Sequence, residues 1–187
     1  MVHSHSTNPA TVCLAQTHMK VNLNWGRKNT SATYRVEGSN LESVSGSLMA
    51  RDEWGHFESH LPYKWADDGH GNVKSVTLEP SFTILMPSWP HYRNQPQACK
   101  DEWDAMWRAL RKHEDGHKSL FEQGVAAIVR KLESLDQATQ SDLDNLMRQT
   151  ESDIQSEQNK YDTSTDHGRS RGVELTITEQ CKAKSKK

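Results

Sequence analysis

The chain has few apolar residues and no long hydrophobic run. Hydrophobic residues make up 33% of its 187 positions, and the mean hydropathy is -0.90. Both values are low for a globular protein, so we expect part of the chain to form tails or polar helix surface. No stretch approaches the length of a membrane span, which predicts that no helix crosses a membrane. A chain of this length is expected to form one domain.

The chain also lacks an excess of charge and is poor in cysteine. Its formal net charge is -2 at pH 7, so the composition gives no indication of nucleic-acid binding. The three cysteines, Cys13, Cys99 and Cys181, form no CxxC pair, and no cysteine-type zinc site is indicated. A disulfide between Cys99 and Cys181 is one option, and the odd number leaves at least one thiol unpaired or in an intermolecular bond.

Both ends of the chain are polar. Residues 1–18 lack the hydrophobic region of a signal peptide, so the protein is cytoplasmic or its signal has been replaced. We expect a disordered tail over residues 1–18, a single domain over residues 19–178 and a basic tail over residues 179–187. A short basic terminus is usually solvated, so it gives no further indication of function.

Histidine, in contrast, is abundant, and two of the ten histidines belong to an HExxH motif at residues 113–117. In a helix, His113 and His117 lie one turn apart and can bind one metal ion, while Glu114 can act as a base. Apolar residues recur at steps of three and four around the motif, which predicts a helix whose buried face includes both histidines. These apolar residues are Trp103, Met106, Trp107, Leu110, Leu120, Phe121, Val125, Ile128 and Leu132.

The residues of the motif also allow simpler interpretations. His113 and His117 could be core residues with hydrogen-bonded rings, but two imidazoles at i and i+4 around a glutamate favour a metal site. Glu114 could instead pair with Lys118 on the helix surface. Gly116 costs about 1 kcal/mol of helix propensity relative to alanine, and it would let another segment approach the site closely.

A catalytic zinc ion needs a third protein ligand. The longer HExxHxxGxxH pattern is absent, because Leu120 and Gln123 stand in place of its glycine and its third histidine. Glu133, further along the same helix, is one alternative, and Asp162 and Asp166 are the others if replacement of His167 left the zinc content unchanged. The preferred candidate is His167, because an antiparallel helix hairpin that turns near residues 135–137 would bring it level with the motif.

Strand patterns precede helix patterns along the chain. Residues 41–50 fit either a short helix or a strand. The order predicts an α+β fold, in which an N-terminal antiparallel sheet is followed by an antiparallel two-helix hairpin that carries HExxH. Strands are predicted over residues 19–25, 31–37, 61–66, 73–85 and 173–177, and helices over residues 96–135 and 137–161.

Several pieces of the sequence follow one another in an order typical of a bacterial family. HExxH is common alone, but here a YDxxTxHG pattern follows it at residues 161–168, and the combination is much more specific. In these pieces the chain resembles the family called domain of unknown function 922, over residues 19–173. The pieces are Lys64-Trp65, residues 73–85, Met86-Pro87-Ser88-Trp89, Trp103, residues 110–117 and residues 161–168.

The resemblance implies a zincin-like, zinc-dependent peptidase that is exported from the cell and is therefore secreted or periplasmic. It also implies that His113, His117 and His167 bind one zinc ion. Members of the family often carry a cysteine pair near the positions that are residues 72–73 and 141–142 here, where this chain has no cysteine. The departure removes one indication of an oxidising compartment and leaves the metal site untouched.

The predicted function is hydrolysis of a peptide or protein substrate by a zinc-activated water. Glu114 is the predicted general base. Tyr161 is the predicted donor to the carbonyl oxygen, with closure of the helix hairpin as its alternative role. Asp162 or Asp166 would orient a ligand histidine or cap the helix. His91 would contact the substrate or simply lie in a surface loop.

Two rival interpretations stay open on the sequence alone. A non-catalytic domain that uses zinc structurally or for protein interaction would have a fourth ligand, for example His18 or His91. A protein without metal would use His113 and His117 only as core residues. Metal content, together with peptide hydrolysis in the presence and absence of a chelator, separates both from the peptidase.

Overall fold

The computed structural model describes residues 19–26 and 30–182. The predicted disordered tail over residues 1–18 and the last five residues of the predicted basic tail lie outside the described residues. Within the described part, the chain forms a mixed α+β structure with two three-stranded sheets and three α-helices. None of these helices combines the length and the apolar character that crossing a membrane requires.

The six strands are short, and two prolines divide them. The predicted strand over residues 73–85 is in fact two strands, because Pro80 removes a backbone donor and interrupts the ladder. Pro62 interrupts the adjacent segment of the same chain at the same level. The Pro62 carbonyl accepts a hydrogen bond from the Glu79 backbone N–H at 2.9 Å. The strands are β1 (Lys20–Leu23), β2 (Thr30–Arg35), β3 (His56–His60), β4 (Tyr63–Asp67), β5 (Val73–Leu78) and β6 (Ser81–Ser88).

Both sheets are mixed, so the predicted antiparallel sheet is wrong in this respect. In the first sheet the order is β1-β5-β4, with β1 parallel and β4 antiparallel to the central strand β5. The second sheet repeats this arrangement in the order β2-β6-β3. Parallel neighbours need a crossover connection rather than a tight hairpin, and here the chain between β2 and β6 supplies it.

Helix α1 (Leu41–Met49) forms part of this crossover and decides the ambiguity of residues 41–50 in favour of a helix. The Asn40 side chain accepts a hydrogen bond from the Ser43 backbone N–H at 2.9 Å, as a helix N-cap does. Leu41, Val44 and Leu48 are fully buried and give the helix one apolar face.

The two long helices are α2 (Gln97–Glu133) and α3 (Gln140–Thr165). They run antiparallel, since Gly116 of α2 lies against Tyr161 of α3 and Gly124 lies against Ile154. The prediction that the HExxH histidines belong to the buried stripe of one helix is confirmed. That stripe comprises Cys99, Trp103, Met106, Leu110, His113, Glu114, His117, Phe121, Val125, Ile128 and Leu132.

The C-terminal segment packs on α2 without forming the predicted strand. Residues 173–177 have no regular secondary structure, and a short 3-10 helix follows at Glu179–Cys181. Cys181 forms a disulfide with Cys99 in the first turn of α2. The disulfide that the sequence leaves open is therefore present, and it fixes residues near the start of the predicted basic tail to the domain.

Candidate metal centre

His113 and His117 of α2 point toward one carboxylate of α3. The Nε2 atoms of the two rings are 3.2 Å apart. Asp162 Oδ1 lies 3.2 Å from His113 Nε2 and 2.9 Å from His117 Nε2. Helix geometry explains the pair, because residues at i and i+4 share one face, and the antiparallel neighbour adds the carboxylate.

These three side chains form a group that could hold a metal ion. A tetrahedral ion bound at about 2.0–2.1 Å from each atom needs ligand atoms roughly 3.3 Å apart, and imidazole and carboxylate are ligands that zinc accepts. Burial and the neighbouring His117 lower the pKa of His113, which keeps its ring neutral and able to donate a lone pair. The chemistry and spacing of the group therefore fit a divalent cation.

Gln158 determines which nitrogen of His117 faces the group. Its side-chain nitrogen donates to the His117 backbone oxygen at 3.0 Å, which leaves its side-chain oxygen directed at His117 Nδ1 in a short hydrogen bond. His117 Nδ1 therefore carries the ring proton, and its Nε2 presents a lone pair. This is the usual way in which a protein orients a metal-binding histidine.

The His113 ring is held mainly by packing. Its Nδ1 atom is buried and has no hydrogen-bond partner among the described residues, a state that costs about 1–3 kcal/mol. The Tyr161 ring stacks on the His113 ring at 5.1 Å between centroids, and it meets the His117 ring edge-on at 4.9 Å. The structure thus orients both rings although it leaves one buried nitrogen unsatisfied.

Gly116, inside the HExxH motif, makes this packing sterically feasible. A Cβ atom at this position would lie 2.1 Å from the Tyr161 hydroxyl oxygen. The hydroxyl accepts a hydrogen bond from Arg171 Nη1 at 3.2 Å. Tyr161 is not among the described residues that line the cleft beside the group, which is described below. Its role as a donor to a substrate carbonyl stays a prediction.

His167 lies at the rim of the group rather than inside it. Helix α3 extends to Thr165, beyond the predicted end at residue 161, and this extra turn places Asp162 opposite the HExxH histidines. His167 follows with a left-handed backbone at φ 50°, and its side chain is 71% exposed. Its Nδ1 is 4.0 Å from Asp162 Oδ1, the oxygen that both other histidines contact. His167 as a ligand stays a prediction.

Glu114 is buried beside the group, and its exposed fraction is 3%. Burial raises the pKa of its carboxyl to about 8. Glu114 does not form the alternative ion pair with Lys118. The Lys118 ammonium instead pairs with Glu122 at 3.6 Å. Gly55 provides the space for the carboxyl, since a Cβ there would lie 2.4 Å from Glu114 Oε1.

A cleft of about 1580 Å³ opens above the group. His113, Glu114, His117 and Asp162 line it, and its walls come from β3, α3 and residues 167–175. Small-molecule pockets are typically about 300–1,000 Å³, so this cleft has room for a segment of a polymer. Its position makes the candidate metal centre accessible from solvent.

Among the described residues, none of the other sequence candidates joins the group. His91 and Glu133 are exposed, and neither belongs to the residues that line the cleft. Asp166 forms the left-handed C-cap of α3. His18 lies outside the described residues.

Two contributors were missed in the sequence, namely Gln158 and Gly55. Gln158 stands four residues before Asp162, so the same antiparallel alignment that points to one could have pointed to the other.

The fold and the group together define a mixed α+β protein with a His-His-Asp site able to hold a metal ion. The family described as "Bacterial protein of unknown function (DUF922)" matches residues 31–168. The chain belongs to this bacterial family, and the resemblance seen in the sequence is confirmed. No curated protein and no solved structure was found to match the chain.

Proposed function

We propose that the chain is a zinc-dependent, zincin-like peptidase. The observation that carries the proposal is the convergence of His113 Nε2, His117 Nε2 and Asp162 Oδ1 within 3.2 Å of one another at the floor of an open cleft. A buried carboxyl, that of Glu114, lies beside them. Metal-assisted peptide hydrolysis requires a set of metal ligands, a nearby acid-base residue and space for a polypeptide substrate.

His113 and His117 would hold the ion, with Asp162 as the third ligand. When bound, zinc would polarise a carbonyl and lower the pKa of a water molecule toward about 7. His167 is the alternative third ligand, because its Nδ1 lies 4.0 Å from the same Asp162 oxygen. Zinc content distinguishes the two candidates, Asp162 and His167. If Asp162 is the ligand, Asp162→Ala should lose zinc and His167→Ala should keep it; if His167 is the ligand, the reverse should hold.

Glu114 would move the proton. In the reaction, water adds its oxygen to the carbonyl carbon, the C–N bond breaks, and one proton passes to the leaving amine. Glu114 accepts that proton from the water and donates it to the amine nitrogen. Burial raises the pKa of the Glu114 carboxyl to about 8, so a bound cation would have to lower this pKa before the carboxylate could accept the proton.

The disulfide supports export from the cell as part of the proposal. Cys99 and Cys181 are joined in the folded domain, and structural disulfides persist in oxidising compartments such as the periplasm or the extracellular space. We therefore propose that the protein functions in such a compartment.

The decisive experiment measures zinc and hydrolysis separately. Glu114→Gln should retain zinc, because Glu114 is no ligand, and should lose at least about a hundredfold in hydrolysis of an unfolded protein substrate. His117→Ala should lose both. Glu133→Gln is the matched control, an exposed glutamate of the same helix, and should change neither. Full activity in Glu114→Gln would remove it as the base.

The position of His167 at the rim of the group favours a second function. If its ring turned inward, four protein groups would surround the ion, which is the closed arrangement of a structural zinc site. The protein would then be a non-catalytic zinc domain for protein interaction. Bound zinc with no hydrolysis by the wild-type protein, and loss of stability on chelation, would select this function.

A further inference from the structure

Strand β3 is an edge strand, and its unpaired side borders the cleft. It pairs with β6 on one side, and no other described strand pairs with it. All five of its residues line the cleft, both those facing inward and those facing outward. Because both alternating sets border the cavity, the edge of the strand faces it rather than one surface of the sheet.

The edge runs directly above the candidate metal centre. Phe57 in the middle of β3 stacks on the His117 ring at 6.2 Å between centroids, with the planes 13° apart. An edge strand offers a row of backbone N–H and C=O groups that an extended peptide can pair with. A peptide paired to β3 would therefore pass over His117 with its own backbone near the reacting groups.

The walls of the cleft are negatively charged. Apart from Glu114 and Asp162 on the floor, the lining carboxylates outnumber the lining guanidiniums by five to two, with histidines counted as neutral. This local excess is larger than the formal net charge of -2 carried by the whole chain. The carboxylates are Asp52, Glu53, Glu58, Glu151 and Glu174, and the guanidiniums are Arg51 and Arg169.

The carboxylates stand on all walls of the cleft rather than in one patch. Glu58 projects outward from β3, Glu151 lies on α3 across the cleft, and Glu174 lies on the C-terminal segment. The Arg51 guanidinium packs over the Tyr34 ring at 4.0 Å from its centroid. Glu53 lies 2.7 Å from the His56 ring, and Glu58 lies 3.4 Å from the His60 ring. A bound segment would thus meet negative charge on either side along the length of the cleft.

Resting on the proposed function, we propose that the substrate is a Lys- or Arg-rich peptide segment, bound in extended form along the free edge of β3 between Glu58 and Glu151. Backbone pairing fixes the position of the segment over the metal centre. The carboxylates select cationic side chains and disfavour acidic ones, because like charges brought together in a cleft are repelled.

Binding is measured with the full-length Glu114→Gln protein loaded with zinc, so that the probes are not cleaved. The probes are fluorescein-labelled repeat peptides of Gly-Ser-Lys, Gly-Ser-Gln and Gly-Ser-Glu, followed by fluorescence anisotropy at low salt. The Lys peptide should bind at least about tenfold more tightly than the Gln peptide, and its advantage should shrink at about 0.15 M salt. The Glu peptide should bind most weakly.

Charge-reversal variants locate the contact. Glu58→Lys and Glu151→Lys should each weaken binding of the Lys peptide by about three- to fivefold. Glu133→Lys reverses an exposed glutamate far from the cleft and should leave the affinity unchanged. A Lys peptide with N-methyl groups on alternate backbone nitrogens keeps its charge but loses backbone donors, and it should bind about tenfold more weakly.

The outcomes separate this inference from the proposed function. Equal affinity for the three peptides, or an effect of Glu133→Lys as large as that of Glu58→Lys, would overturn it even if the wild-type protein hydrolyses peptides. The expected charge preference in a protein without hydrolytic activity would support the peptide site and contradict the peptidase.

Discussion

At the scale of single residues, the side chain that most directly sets the chemistry of the site is a neutral amide. Gln158 is 7% exposed and makes both of its hydrogen bonds to His117, one to the ring and one to the backbone. The HExxH histidines are visible in the sequence because their spacing matches a helical turn. Gln158 belongs to no such motif, and only the antiparallel alignment of the two helices could have pointed to it, because its burial arises from what lies opposite.

The first prediction concerns this amide. Gln158→Leu keeps a similar volume but removes both bonds, so the His117 ring proton is no longer confined to Nδ1. We expect the affinity for zinc to fall by about 10–100-fold. A chelator competition measures the affinity, and nitrogen NMR of the metal-free protein reports the tautomer of His117. Gln149→Leu, an exposed glutamine of the same helix, is the control; unchanged affinity and tautomer in Gln158→Leu would contradict the assigned role.

At the scale of elements, the contact between α2 and α3 depends on missing side chains. Gly116 and Gly124 leave space for Tyr161 and Ile154, and this lets α3 bring Asp162 to the histidines. The position of both helices follows from periodicity and punctuation in the sequence. The parallel pairing of β1 with β5 and of β2 with β6 does not, since strand order is set by long-range packing and leaves no local pattern.

Gly124→Ala tests the helix contact away from the metal centre. A Cβ there would lie 2.4 Å from Ile154 Cγ1, so overpacking should destabilise the fold by about 1–3 kcal/mol despite the better helix propensity of alanine. Urea unfolding of the metal-free protein measures the change in free energy.

Gly46→Ala is the matched control for that substitution. Gly46 lies in α1, and nothing lies within 4 Å of a Cβ built on it. Here only the propensity term operates, and we expect stabilisation by about 0.5–1 kcal/mol. If Gly124→Ala were stabilised to the same extent, the two helices would not be in the close contact described.

At the scale of the whole molecule, the described α+β structure carries its site where helix α3 returns past the middle of α2. The class of fold and the pair of histidines could be predicted, because both depend on local patterns. Spacing points to His167, whereas the structure brings Asp162 to the two histidines and leaves His167 at the rim of the group, so that His167 as a ligand stays a prediction. A difference of one helical turn in the end of α3 decides whether Asp162 or His167 is nearer, and helix ends are the least certain part of a sequence-based assignment.

The disulfide gives a prediction at the same scale. It joins Cys99 and Cys181 across 82 residues of sequence, and a loop of that size implies a stabilisation of about 4.5 kcal/mol through the entropy of the unfolded chain. A Cys99→Ser/Cys181→Ser protein should unfold at markedly lower urea than the oxidised wild type.

The metal centre should survive this loss, because no hydrogen bond of its side chains in the described part of the chain involves residues 172–182. We therefore expect the folded double variant to bind zinc with the affinity of the wild type, measured by the same chelator competition. Cys13→Ser keeps the bridge and should change neither stability nor affinity. Equal stability of the double variant and the wild type would show that the bridge does not constrain the domain, and it would withdraw the argument for an oxidising compartment that rests on it.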